Sequence, residues 1–211
     1  MTGDDSSLVT LIRDIVAGNY GAVSRSLAAS PALAASPLRL DGATGQSTES
    51  YFFDEIAHYM YAGDTPLHAA AAAYRYALVP TLTEMGADVR ARNRRGAHPL
   101  HYAADGIPGS AHWDPGAQRD TVIALLTAGA NPNAVDTGGA TPLHRAVRNR
   151  CASAVGALLE GGADARLRNG SGSTPLQLAR WTTGRGGSGS RIAKAEQAAI
   201  VRLLIEHGAR P

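Results

Sequence analysis

Thr65-Pro66-Leu67-His68-Ala69-Ala70 recurs three more times along the chain. The copies read His98-Pro99-Leu100-His101-Tyr102-Ala103, Thr141-Pro142-Leu143-His144-Arg145-Ala146 and Thr174-Pro175-Leu176-Gln177-Leu178-Ala179. The prolines stand at 66, 99, 142 and 175, so they are spaced by 33, 43 and 33 residues. Self-similarity at such a period means that each unit is one supersecondary element stacked on its neighbours. A proline in the first helical turn gives up no needed N–H, and the Thr before it offers an N-cap hydroxyl. Each copy leads into an apolar stretch that stops at Gly86-Ala87, Gly129-Ala130, Gly162-Ala163 or Gly208-Ala209. Glycine there suits the left-handed residue that ends a helix. The unit is therefore helix, turn, helix, stop. One such pair cannot bury its own apolar face, so stacking must supply the core.

With four in-phase copies and their stops, residues 60–211 resemble the ankyrin-repeat family. The resemblance implies an all-α solenoid of helix pairs with short β-hairpin or turn connections. It also implies binding through the hairpin tips and the inward surface of the first helices, and a bracing role for His68, His101 and His144 through hydrogen bonds. Residues 1–36 read as a divergent N-terminal helical capping repeat. There Leu8, Leu11, Ile12, Ile15 and Val16 keep helical spacing, and Val23 and Leu27 continue it after Gly18-Asn19. Residues 64–211 hold the four repeats. Nineteen arginines against one lysine suggest a GC-rich coding sequence, and the chain reads as a bacterial-type module.

Three insertions interrupt the stack. Residues 37–63 carry an aromatic run, Tyr51 to Tyr61, that holds both phenylalanines of the chain. Residues 105–117 account for the 43-residue spacing, and their Asp114-Pro115 pair is a helix start. Residues 183–195 contain a Gly/Ser-rich stretch around Arg185. Such a loop ahead of a helix can present N–H groups to an anion, but it lacks the ending of a phosphate-binding P-loop. The second and third insertions share an address between the two helices of a repeat. They are expected to meet over the third repeat.

On the inward strip, the variable positions are Ala69, Ala72, Ala73, Tyr102, Asp105, Arg145, Arg148, Asn149, Leu178, Trp181 and Thr182. Tyr102, Asp105, Arg145, Arg148 and Trp181 form the expected protein-binding face, since Tyr, Trp and Arg dominate interface hot spots. The rival reading is a small anionic ligand or enzymatic site roofed by the three insertions, with His58, Tyr61, His112, Trp113 and Arg185 in its walls. Should the insertions converge, His58, Asp64, Asp105, His112 and Asp114 would form an acid–base group.

Composition narrows the rest. A net charge of +2 with no basic run gives no drive toward nucleic acid. The single cysteine, Cys151, precludes an internal disulfide and reads as a buried thiol rather than a nucleophile. Repeat-spaced histidines sit too far apart to share a metal, so neither a metal nor a cofactor is expected. With no apolar run long enough to span a bilayer and no basic leader, the expectation is a cytoplasmic binder rather than an enzyme.

Overall fold

A computed structural model describes residues 3–39, 50–56, 58–181 and 191–210. Four helix pairs follow the four repeat copies. They are α3 (Pro66–Ala72) with α4 (Leu78–Glu84), α5 (Pro99–Ala103) with α6 (Pro115–Thr127), α7 (Pro142–Arg148) with α8 (Ala152–Glu160), and α9 (Pro175–Arg180) with α10 (Arg191–Glu206). First helices pack on first helices (α3 on α5, α5 on α7, α7 on α9) and second helices on second helices, so the stack has two layers. A solenoid of this kind takes its core from between repeats. Leu67, Leu100, Leu143 and Leu176, one from each copy, are all buried there.

The element boundaries follow from the repeat residues. Each first helix opens on its proline, and the residue three positions after the N-cap closes a reciprocal capping box. The second helices end at the expected glycines, whose φ values of 94°, 93°, 89° and 84° belong to the left-handed region. Successive turns between repeats are joined tip to tip by single backbone hydrogen bonds. Arg94 N–H donates to Ala62, Thr137 N–H to Arg95 and Gly170 N–H to Gly138.

The histidines tie the repeats together. His68 Nδ1 accepts from the Thr65 N–H at 3.1 Å, while Nε2 reaches the Ala97 carbonyl at 3.2 Å in the next repeat. His101 repeats this with His98 N–H and Ala140, and His144 with Thr141 N–H and Ser173. An Nδ1 that accepts and an Nε2 that donates define one neutral tautomer. Gln177 performs the local half, its Oε1 accepting the Thr174 N–H at 2.9 Å.

Ahead of the repeats, α1 (Gly3–Ala17) and α2 (Tyr20–Ala29) pack as an antiparallel pair, with α1 on α3. Leu8, Leu11, Ile12, Ile15 and Val16 are buried as their spacing required. Arg75 fastens the pair to the first repeat, its guanidinium donating to the carbonyls of Ile15 and Val16 at the end of α1. The aromatic run of the first insertion forms a two-stranded antiparallel hairpin, β1 (Ser50–Phe53) and β2 (His58–Tyr61). Alternation sends Phe53 and Met60 into the core and leaves Phe52 and Tyr59 outside as a cross-strand ring pair, centroids 4.7 Å apart. Most of the Gly/Ser-rich third insertion, including Arg185, lies outside the described residues, so its meeting with the second over the third repeat lies outside them too.

Burial lowers the pKa of His68 and His144, and lowers that of His101 to about 3. The unfolded value is near 6.5. Below that pH the unfolded chain binds more protons than the native one, so stability is lost as pH falls. Each of the three histidines should cost up to about 1.4 kcal/mol per pH unit in this window. Urea midpoints measured from pH 7.5 to 5 should therefore fall steadily. The triple replacement of His68, His101 and His144 by Gln, which can accept and donate in the same places without titrating, should flatten the slope. A midpoint independent of pH in the parent chain would contradict the neutral brace.

Candidate functional site

The first helices carry their variable residues onto one concave strip. Ala72, Asp105, Arg148 and Trp181 each stand seven residues after the cap of their repeat, and Tyr102, Arg145 and Leu178 stand four after it. The β1–β2 hairpin borders this strip on one side. On the other stands the loop of the second insertion. Between them lies a cavity of about 510 Å³. His58, Tyr59 and Tyr61 of the hairpin line it, as do Ile107, Ser110, His112 and Trp113 of the loop, Asn93 and Arg95 of a turn, and Tyr102, Arg145, Arg148 and Asn149 of the strip. So the first and second insertions converge, and they do so over the inward face itself.

The floor is a polar network. Asp105 Oδ2 receives Arg145 Nη1 at 2.9 Å, and Oδ1 receives Asn149 Nδ2 at 2.8 Å. The second Arg145 nitrogen donates to Asp136 at 3.1 Å. His58 Nδ1 bonds the Tyr59 carbonyl, and its Nε2 stands 3.6 Å from Asp105. Burial by itself would raise the Asp105 pKa. The charge of Arg145, with His58 and Arg148, outweighs it and holds the carboxyl at about 2. Asp136 is likewise depressed, since burial is outweighed by the Ala140 N–H and by Arg145.

Behind this floor sits a second, drier cluster. Asp64 is fully buried and accepts from Asn93 at 2.8 Å, from the Tyr102 hydroxyl at 2.7 Å and from the Tyr61 N–H at 2.6 Å. Tyr102 is only 2% exposed and its hydroxyl is held inside; burial, then Asp64, push its pKa far up. It was expected as a free anchor on the binding face. A ring this bulky, four residues after the cap, instead fills the space beneath the hairpin, its centroid 4.5 Å from that of His58.

The loop wall is fixed from beneath. Tyr74 OH donates to the Asp105 carbonyl at 2.5 Å, and Gln118 Nε2 donates to Ala103 and to Asp105. Trp113 Nε1 donates to Gln118 at 2.9 Å, so its indole is a half-buried part of the wall. Tyr74 holds a left-handed φ of 54°, a strain of about 1–2 kcal/mol for an L-residue. At Gly106 a Cβ would come within 2.8 Å of Cys151 Sγ and 2.9 Å of Tyr74 OH, so the loop passes this point only as glycine. Cys151 is fully buried there, and burial pushes its thiol up to about 12, which removes it as a nucleophile.

Of the residues singled out in the sequence, the cavity thus gathers His58, Tyr61, Tyr102, Asp105, His112, Trp113, Arg145 and Arg148. Trp181 is 55% exposed at the end of α9, one repeat beyond Arg148, and outside the cavity lining. The acid–base group does not assemble. Asp64 is enclosed behind Tyr102, and Asp114 is spent capping α6 through the N–H groups of Gly116 and Ala117. Tyr74 carries no signal in the sequence, and Asn93 and the exposed Arg95 stand out there only as residues of a hairpin tip. Asn93 has a signal in hindsight: its carboxamide oxygen accepts from Arg95 and Ala97, the role Asp136 and Asn169 play in the next two turns.

Arg145 is the network's hub, with its side chain 12% exposed between two carboxylates. Arg145→Met should lower unfolding stability by about 3–5 kcal/mol, because two buried charges lose their partner. Asp105→Asn in the same background should add less than it costs alone. Denaturation of the four variants in a double-mutant cycle checks this, and strict additivity would show that the pair is not coupled.

The comparisons with known proteins agree with this architecture. The ankyrin-repeat model matches residues 62–94 and 95–137, and the model for multiple ankyrin repeats matches 125–179. Ankyrin repeat and SOCS box protein 16 of Mus musculus is 34% identical over 149 residues, covering 70% of this chain and 31% of that protein. The B-cell lymphoma 3 protein homolog of Mus musculus is 36% identical over 129 residues, covering 56% and 26%. The E3 ubiquitin-protein ligase KEG of Arabidopsis thaliana is 38% identical over 120 residues, covering 55% and 7%. The chain thus spans less than a third of the length of these relatives. Among the described residues no helix is long and apolar enough to cross a membrane. With its repeats matched in phase and its braces in place, the chain belongs to the ankyrin-repeat family and is a protein–protein interaction module.

Proposed function

We propose that the partner protein is held on the concave strip and the mouth of the cavity, with Arg148 and Trp181 as the principal contacts and the Phe52–Tyr59 ring pair at the hairpin edge. The observation that carries this reading is exposure. Phe52, Tyr59 and Trp181 are 48%, 49% and 55% exposed, and large rings left in water along one strip have the composition of a binding hot spot. Arg148 lies between the cavity and Trp181 and is exposed as well. Tyr102, Asp105 and Arg145 support the surface from below.

In the same reading, residues 1–36 cap the stack, residues 37–63 are an insertion leading into the first repeat, and residues 64–211 are the four repeats with insertions at about 105–117 and 183–195. The packing of α1 on α3 and the Arg75 clamp support the cap. The arginine bias supports a bacterial-type source, and the absence of a long apolar helix among the described residues suits a cytoplasmic setting. A net charge of +2 with no basic run gives little drive toward nucleic acid, which favours a protein partner.

A photo-crosslinking residue placed at Tyr59, Arg148 or Trp181 should capture a discrete protein from a native lysate. The same residue at Arg119, exposed on the outer helix α6, should not. Equal capture at all four positions would overturn the concave-face assignment. The Trp181→Ala and Phe52→Ala variants should each weaken binding of the captured partner by about tenfold or more, while leaving thermal unfolding unchanged.

A further inference from the structure

We propose that the cavity between the hairpin and the 105–113 loop is a binding site for a small aromatic oxyanion, a ring bearing a carboxylate or a phosphate. The site shares Arg148 and Tyr59 with the proposed protein face, but the inference is argued from the cavity alone, which Trp181 and Phe52 do not line.

Size comes first. A volume of about 510 Å³ falls within the range of small-molecule sites and exceeds the voids left by ordinary packing. The charge balance selects the ligand. Three arginines, Arg95, Arg145 and Arg148, line the cavity against one carboxylate, Asp105. Both Asp105 oxygens are already engaged, by Arg145 and by Asn149, so that carboxylate has little capacity left to attract a cation. The Arg148 side chain is exposed at the cavity and makes neither a hydrogen bond nor an ion pair among the described residues. Arg95 bonds the Tyr61 hydroxyl at 3.1 Å and lies over its ring, but it has no carboxylate partner among them. Arg145 Nε is buried without a hydrogen-bond partner, a donor whose desolvation is uncompensated until an acceptor arrives. The spare capacity of the wall is therefore donor and cationic.

The rest of the lining selects the body of the ligand. Tyr59, Tyr61 and Trp113 present aromatic surface around these arginines. Rings of this kind pair with a flat apolar group, and guanidinium donors pair with planar or tetrahedral oxyanions. Hexoses and other neutral polyols would leave the arginines unmatched, and an aliphatic acid would leave the rings unmatched. The shared chemistry can reach the cavity as a free small molecule or as a phosphotyrosine on a peptide.

Calorimetry on the full chain tests this with phenyl phosphate and benzoate as probes and benzyl alcohol as the neutral control. At least one anion should bind saturably and benzyl alcohol should not. Arg148→Gln should weaken the anion by about tenfold, and Arg95→Gln with Arg148→Gln by more, since a charge-assisted hydrogen bond is lost at each step. Both arginines are exposed, so the variants should fold, and circular dichroism with thermal unfolding verifies it. The Trp113 indole N–H resonance should shift on anion addition in the parent chain and remain still in the double variant. A phosphotyrosine peptide that binds about tenfold tighter than phenyl phosphate assigns the oxyanion to a peptide, and equal or weaker peptide binding assigns it to a free molecule. No heat from either anion up to ~10 mM, where only millimolar affinities would remain, overturns the proposal, as does anion binding that Arg148→Gln leaves untouched.

Discussion

Each repeat is joined to the next by a neutral imidazole that works in two directions. Nδ1 of His68, His101 or His144 closes the cap of its own helix, and Nε2 crosses to a carbonyl of the following turn. The same ring thus fixes local helix geometry and inter-repeat register. First helices only five to seven residues long are marginal alone, so the cap and the packing of the stack must form them together. The constraint has a chemical condition, since protonation removes the Nδ1 acceptor. Burial maintains that condition by making the charged ring costly.

This brace explains why so much of the fold was legible in the residues. The period, the proline in the first turn and the glycine stops act locally, and each maps onto one structural necessity. The apolar spacing of Leu8 to Val16 works the same way. The hairpin in residues 50–61 was not legible. Its alternation is four residues per strand, and its aromatic run suits a plug, a wall or a strand equally well. Only the sheet pairing of Phe52 with Tyr59 and the depth beneath Phe53 and Met60 separate these readings. Convergence was legible only as a possibility between loops. The hairpin, set apart in sequence, meets the loop after α5 across the concave face, while most of the loop after α9 lies outside the described residues.

The site residues divide by the same logic. A sequence strip identifies which positions turn inward, but it does not reveal how deep a large ring will sink. Tyr102 and Arg145 occupy equivalent positions four residues after their caps and both line the cavity, yet the Tyr102 hydroxyl is enclosed with Asp64 while the Arg145 guanidinium lies in the floor between Asp105 and Asp136. Depth depends on what covers the position. The hairpin covers Tyr102, and its coverage requires a hydrogen-bonded place for the hydroxyl, which Asp64 and Asn93 supply. Asp64, seen in sequence as a candidate catalytic acid, is the structural answer to that requirement.

Arg145 and Arg148 sit three residues apart on α7, where like charges on one face weaken a helix by about 0.2–0.5 kcal/mol. The structure resolves the conflict unequally. Asp105 and Asp136 both turn to Arg145 and draw it down into the floor, where its guanidinium fixes the loop wall to the third repeat. Among the described residues no carboxylate makes such a contact with Arg148. Its charge acts on Asp105 only from a distance, without a contact, and a neutral residue there would spare the helix its repulsion. The two arginines therefore answer to different demands: Arg145 to the shape of the cavity, Arg148 to what enters it.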